Sequence, residues 1–128
     1  MKSEKDIENL ERVMGQLDAL HIEISQLAKK SPNDGVNKFK LKLINKLIGT
    51  ANEVLGDDYR PFSEFNLFDE DDLPTNSDVT LIVGQYLEQC ERFRSDNIEY
   101  FNYKWYYVLG GKRSKVLATA PTKIGGKK

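Results

Sequence analysis

The chain is poor in the residues that usually staple or arm a small protein. Cys90 is its one cysteine, so no intrachain disulfide can form and stability has to come from a core. His21 is its one histidine, and together with Cys90 it is too little for a zinc site. A nucleophile–base pair between the two would need distant segments to meet by chance of folding. No apolar run approaches the roughly 20 residues of a membrane span. The amino-terminal MKSEKDIENLER has no apolar core of signal-peptide length. These absences make a soluble, cytoplasmic protein with no membrane contact the expectation.

Two stretches imitate site motifs and fail on spacing. An EF-hand frame opening at Asp69 puts Leu73 at its fifth position and Pro74 where glycine is required. Gly110-Gly111-Lys112-Arg113-Ser114 lacks the glycine spacing and the following helix of a phosphate loop. Asp57, Asp58 and Glu64 are what remains for a loose magnesium site, and a metal-dependent enzyme is the weakest reading. No catalytic residue, metal ligand or cofactor is assigned, and the chain is not expected to be an enzyme.

What is present is patterned. The 128 residues suit one domain. Ser3 is placed to cap a first helix over 5–29. Ile7, Leu10, Met14, Leu17, His21, Ile24 and Ala28 form its heptad stripe, widened by Val13, Leu20 and Leu27. His21 falls on that stripe, where it reads as a partly buried packing residue. A turn follows at Ser31-Pro32-Asn33-Asp34-Gly35. A second helix runs from about Val36 on a stripe of Val36, Phe39, Leu43, Leu47, Ala51 and Leu55, flanked by Ile44, Ile48 and Val54. Gly56 is its expected left-handed stop. Lys38, Lys42 and Lys46 recur every fourth residue as a solvated ridge.

About twenty residues from Asp57 to Asn76 show no period. Their aromatics, Tyr59, Phe62, Phe65 and Phe68, predict a loop laid across the bundle with a helical turn near 63–68. Ser77 or Asn76 is the expected cap of a third helix. Its apolar face is Val79, Ile82, Val83, Tyr86, Leu87, Cys90 and Phe93, with Gly84 allowing a close helix approach. Cys90 reads there as a small hydrophobe. Residues 95–101 fit either the end of this helix or a strand.

From Phe101 to Val108 aromatic residues alternate with others at period two, and Gly110-Gly111 offers a tight turn. The predicted hairpin pairs Leu109 with Lys112, Trp105 with Val116, Tyr103 with Ala118, Lys104 with Leu117 and Tyr106 with Lys115. Its Trp105 face is expected to pack on the bundle. The fold class is therefore mainly α: a three-helix bundle with a long loop between the second and third helices and a C-terminal β-hairpin. Residues 1–120 form the domain, and 121–128 a disordered basic tail.

Charge is sorted along the chain. Residues 57–101 hold twelve acids against three arginines, and residues 102–128 hold seven lysines and arginines and no acid. The simplest expectation is that the two poles neutralise each other within one chain. The alternative is that they meet different partners, or each other across a dimer. The leading function is a non-enzymatic protein-interaction module, a regulator, adaptor or inhibitor. Its contact candidates are Asp69, Glu70, Asp71, Asp72 and Tyr106. A homodimer through the first helix or the hairpin fits the same pattern. The alternative is nucleic-acid binding by the aromatic hairpin, with Lys104, Lys112, Arg113 and Lys115 on phosphates. Element order resembles winged-helix modules, but the loop before the third helix is too long for a tight helix-turn-helix.

Overall fold

Ser3 opens the first helix as its spacing predicts. In the computed structural model, which describes residues 1–122, α1 spans Glu4–Lys30. The Ser3 hydroxyl accepts from the Asp6 N–H, and the Asp6 carboxylate accepts from the Ser3 and Lys2 N–H groups. Those backbone donors hold the Asp6 carboxyl below its usual range. Ile7, Leu10, Val13, Leu17 and Ile24 are buried, with Met14, Leu20 and Leu27 packed beside them. The His21 ring lies over Gly84: a Cβ there would come within 3.3 Å of Nε2. The glycine is what lets the two helices approach at this point.

α2 (Lys38–Tyr59) is capped by Asn37, whose side chain accepts from the Lys40 N–H, while Val36 is buried ahead of the cap. Gly56 has the expected positive φ of 68°, yet one more helical turn follows it. The stripe is rotated from the predicted one. Leu41, Ile44, Ile48, Ala51 and Leu55 are buried, whereas Phe39 is 73 % and Leu43 52 % exposed. The sequence offers more apolar residues around α2 than its neighbours can cover, and the neighbours take the Leu41–Ile44 side.

The long loop is strapped to α2 by two asparagines. Asn45 donates to the Phe68 carbonyl and accepts from its N–H, both at 2.9 Å. Asn52 donates to Asn66, and the Tyr86 hydroxyl donates to Asn52 Oδ1. Phe65 stacks edge-on against Phe68 and Tyr86. The loop thus lies across the bundle, but its helical turn is a 3₁₀ turn at Glu70–Asp72, not at 63–68. There the Asp69 side chain caps by accepting from Asp71 N–H.

α3 (Asn76–Ser95) is capped by Thr75 rather than by Asn76 or Ser77. Only Thr75 stands three residues before Asp78, so only it completes the reciprocal box. Asn76 is buried and donates to Ser31, clipping this loop to the one between α1 and α2. Cys90 is fully buried on α3, and burial pushes its thiol up to about 12.

α3 stops at Ser95 and the chain turns into strand, so the C-terminal unit has three strands, not two. β1 (Ile98–Phe101), β2 (Lys104–Leu109) and β3 (Lys112–Ala118) form an antiparallel meander. The aromatic run read as one strand is broken by a turn at Asn102-Tyr103. Both of its central residues have positive φ, as do Gly110 and Gly111 in the second turn. Leu109 pairs with Lys112 as expected, but Trp105 pairs with Ala118 and Tyr106 with Leu117. The cause is a bulge in β3, where the Val116 N–H turns back to donate to Ser114 Oγ. The slip is of two residues, so each side chain keeps its face. Among the described residues no helix is long and apolar enough to cross a membrane.

The rotated α2 stripe predicts an asymmetry. Ile44→Ala should cost about 2–4 kcal/mol in urea unfolding. Leu43→Ala should change stability by less than about 1 kcal/mol. Equal losses would contradict this packing.

Candidate interaction surface

Three short strands gain their stability from a packed hydrophobic face, so their orientation depends on what that inner face touches. Ile98 and Tyr107 are buried against the helices, and Trp105, Leu109, Val116 and Ala118 pack around them. The Tyr107 hydroxyl donates to Glu11 on α1 at 3.0 Å. Burial first, and then this hydrogen bond, push the Tyr107 hydroxyl up to about 12. Trp105 therefore serves as packing, as its alternation implies.

A buried ion pair on α3 fixes the far edge. Arg94 grips both oxygens of Glu91, Nε at 2.8 Å and Nη2 at 2.9 Å. The same guanidinium donates to the Thr119 and Ala120 carbonyls, and Glu91 accepts from Ser95 and from the Thr122 N–H. Burial opposes the Glu91 charge, but hydrogen bonds from Arg94 and Thr122 outweigh it and hold the carboxyl below its usual range. Pro121 and Thr122, placed in the tail by composition, thus follow β3 along α3; the rest of that tail lies outside the described residues. Nothing in the pattern of α3 singled out Glu91 and Arg94. A pair three residues apart on a helix normally reads as a surface contact.

With its inner face packed on the helices at Ile98 and Tyr107, the sheet turns Phe101, Lys104, Tyr106 and Leu117 outward. Tyr106 stands between Glu99 and Leu117 across the strands. The Arg113 guanidinium lies 3.6 Å over the Phe101 ring and pairs with Glu99 at 3.3 Å. Lys104, Lys112 and Lys115 are exposed. Beyond them, at the β1–β2 turn, Tyr103 is 88 % exposed with φ 71°. Asn102 suits the first position of such a turn, and glycine is the residue favoured at the second. The chain places a tyrosine there instead, in a conformation that costs a side chain about 1–2 kcal/mol.

Asp69, Glu70, Asp71 and Asp72 lie elsewhere. They precede the start of α3, while the sheet follows its end. One ion pair, Arg113 with Glu99, joins the acidic and basic stretches, and among the described residues none reaches Asp69–Asp72. Leu73, next to the acids, is exposed and also has positive φ, 51°. The residues proposed from sequence thus fall in two separate places, with Tyr106 on the sheet. Asp57, Asp58 and Glu64 do not converge: among the described residues no three carboxylate, thiol or imidazole groups form a metal cluster.

A separate shallow groove of about 130 Å³ lies between Leu20 and Glu23 of α1 and Lys40, Leu43 and Leu47 of α2. Lys40 and Glu23 pair at its rim, 3.6 Å apart. No protein-family model, no curated protein and no solved structure matches this chain.

The buried pair predicts a pH response. A carboxyl lowered in the folded state adds stability in full above its ordinary 4.5 and loses it as pH falls through the folded value. Wild type should therefore lose melting temperature steadily below that point, and Glu91→Gln should show a shallower acid slope. At neutral pH Glu91→Ala, which leaves Arg94 buried without its partner, should cost about 3 kcal/mol. Parallel acid slopes in the two proteins would contradict this account.

Proposed function

We propose that this chain is a small, cytoplasmic, non-enzymatic interaction protein that binds another protein through the outer face and tip of its C-terminal sheet. A regulator, adaptor or inhibitor would all work this way. Tyr103 carries the reading. It spends backbone energy in a position glycine favours, and its ring touches almost nothing that would return that energy in the free molecule. A ring held out at such a cost is accounted for by a contact outside the chain. Tyrosine is also among the residues that dominate binding energy at protein interfaces. Phe101 and Leu117 extend the apolar area, and exposed Lys104 and Lys115 select an acidic partner.

Nucleic acid is the second reading, favoured by exposed lysines on the sheet, Lys104 beside the aromatic tip and Lys112 and Lys115 along β3. It is the weaker one because Arg113 already gives its charge to Glu99 and its flat face to Phe101. Leu117 also puts an aliphatic group in the middle of the face.

Tyr103→Gly separates stability from binding. It should raise stability by about 1 kcal/mol, because glycine adopts positive φ without strain. It should also abolish capture of a discrete partner from nuclease-treated native extract, a partner that wild type retains. A stabilised variant that still captures that partner sinks the leading reading. Charge reversal at Lys112, Arg113 and Lys115 addresses the second. If wild type binds DNA or RNA tightly at low salt and the triple glutamate variant does not, the sheet is a nucleic-acid surface.

A further inference from the structure

We infer that the acidic partner of the sheet is a second copy of this chain, whose acidic segment around Asp69–Leu73 docks on the basic aromatic face. The inference rests on the interaction reading of that face and names its occupant.

The two poles are complementary in three respects. Asp69, Glu70, Asp71 and Asp72 form one charge cluster, and the sheet carries the opposite sign on exposed lysines, Lys104 beside the β1–β2 turn, Lys115 in β3 and Lys112 beside the β2–β3 turn. Each pole displays an apolar residue to solvent: Leu73, 62 % exposed, at one end, and Leu117 with Phe101 and Tyr103 at the other. Each also holds one such residue at positive φ, Leu73 at 51° and Tyr103 at 71°. The fold keeps these poles apart, at opposite ends of α3. The acidic segment is fastened there by Asn45 and Phe68, and the Val36 N–H donates to Pro74 just after it. The segment therefore cannot swing round to its own sheet. A neighbouring molecule supplies the same segment without any rearrangement. One contact of this kind joins the acidic end of one copy to the basic end of the next. It closes as an antiparallel pair or continues as a chain.

The test uses charge reversal in the full-length protein, read by sedimentation velocity at low and high ionic strength, with far-UV circular dichroism confirming the fold. One variant carries Asp69→Lys, Asp71→Lys and Asp72→Lys. The other carries Lys104→Glu, Lys112→Glu and Lys115→Glu. Wild type is expected to self-associate, and more weakly at high salt. Each variant alone should lose roughly tenfold or more in association, because its two poles now repel. An equimolar mixture should associate again. Leu73→Ser should weaken association without changing charge. A wild type that stays monomeric at low salt overturns the inference. So does association that survives either reversal, or a mixture that fails to restore it. A monomeric chain whose sheet still captures a foreign protein overturns the self-contact and leaves the interaction reading standing.

Discussion

The burial of Tyr107 between sheet and helices is the contact on which the rest of the surface depends. Its ring is closed off from solvent and its hydroxyl is bound by Glu11, so β2 has a fixed depth and a fixed face toward the bundle. Ile98 and Trp105 follow from that orientation on the neighbouring positions. Once the inner face is set, alternation decides what points outward, and Phe101, Tyr106 and Leu117 have no choice of side. The Glu91–Arg94 pair then holds the segment after β3 along α3. That clamps the outer strand from beyond its end.

Two positions run against local preference. Tyr103 and Leu73 both sit in the left-handed region, which their side chains disfavour, and both are exposed. Elsewhere the chain is locally consistent: reciprocal caps at Ser3 and Thr75, asparagine at the start of α2, glycines in the β2–β3 turn. Conflicts with local rules tend to collect where function outweighs stability. Here they fall one at each charged end of the molecule. That placement is one of the observations on which the proposed contact between the basic sheet and the acidic segment rests.

Much of the architecture was legible in the sequence, because helices announce themselves by period and punctuation. Ser3, the Ser31–Gly35 break and the Gly110-Gly111 turn all sit where their chemistry demands. Three features were hidden. The rotation of α2 was ambiguous because Phe39 and Leu43 satisfy the same spacing as the buried residues; coverage by neighbours, not period, selects the face. The turn at Asn102-Tyr103 was masked by a tyrosine in a glycine position, which let one aromatic alternation run through two strands. The Ser114 bulge was invisible, since the register slips by two and leaves the alternation intact. The site suffered for the same reason: Lys104, Tyr106 and Arg113 were recognisable as residue types, whereas Tyr103 as the tip required knowing where the turn falls.

Trp105 is the single tryptophan, and it lies half-buried on the inner face with Tyr100 edge-on at 5.4 Å. Its fluorescence therefore reports directly whether the sheet is docked on the helices. The decisive measurement is a denaturant titration followed by Trp105 emission and by far-UV circular dichroism on the same samples. A docked sheet predicts blue-shifted native emission and two transitions that coincide, as one cooperative unit requires. Red-shifted emission in the native state, or a fluorescence transition that precedes loss of helix, would mean that the sheet is not held by the bundle and that its outer face has no fixed orientation.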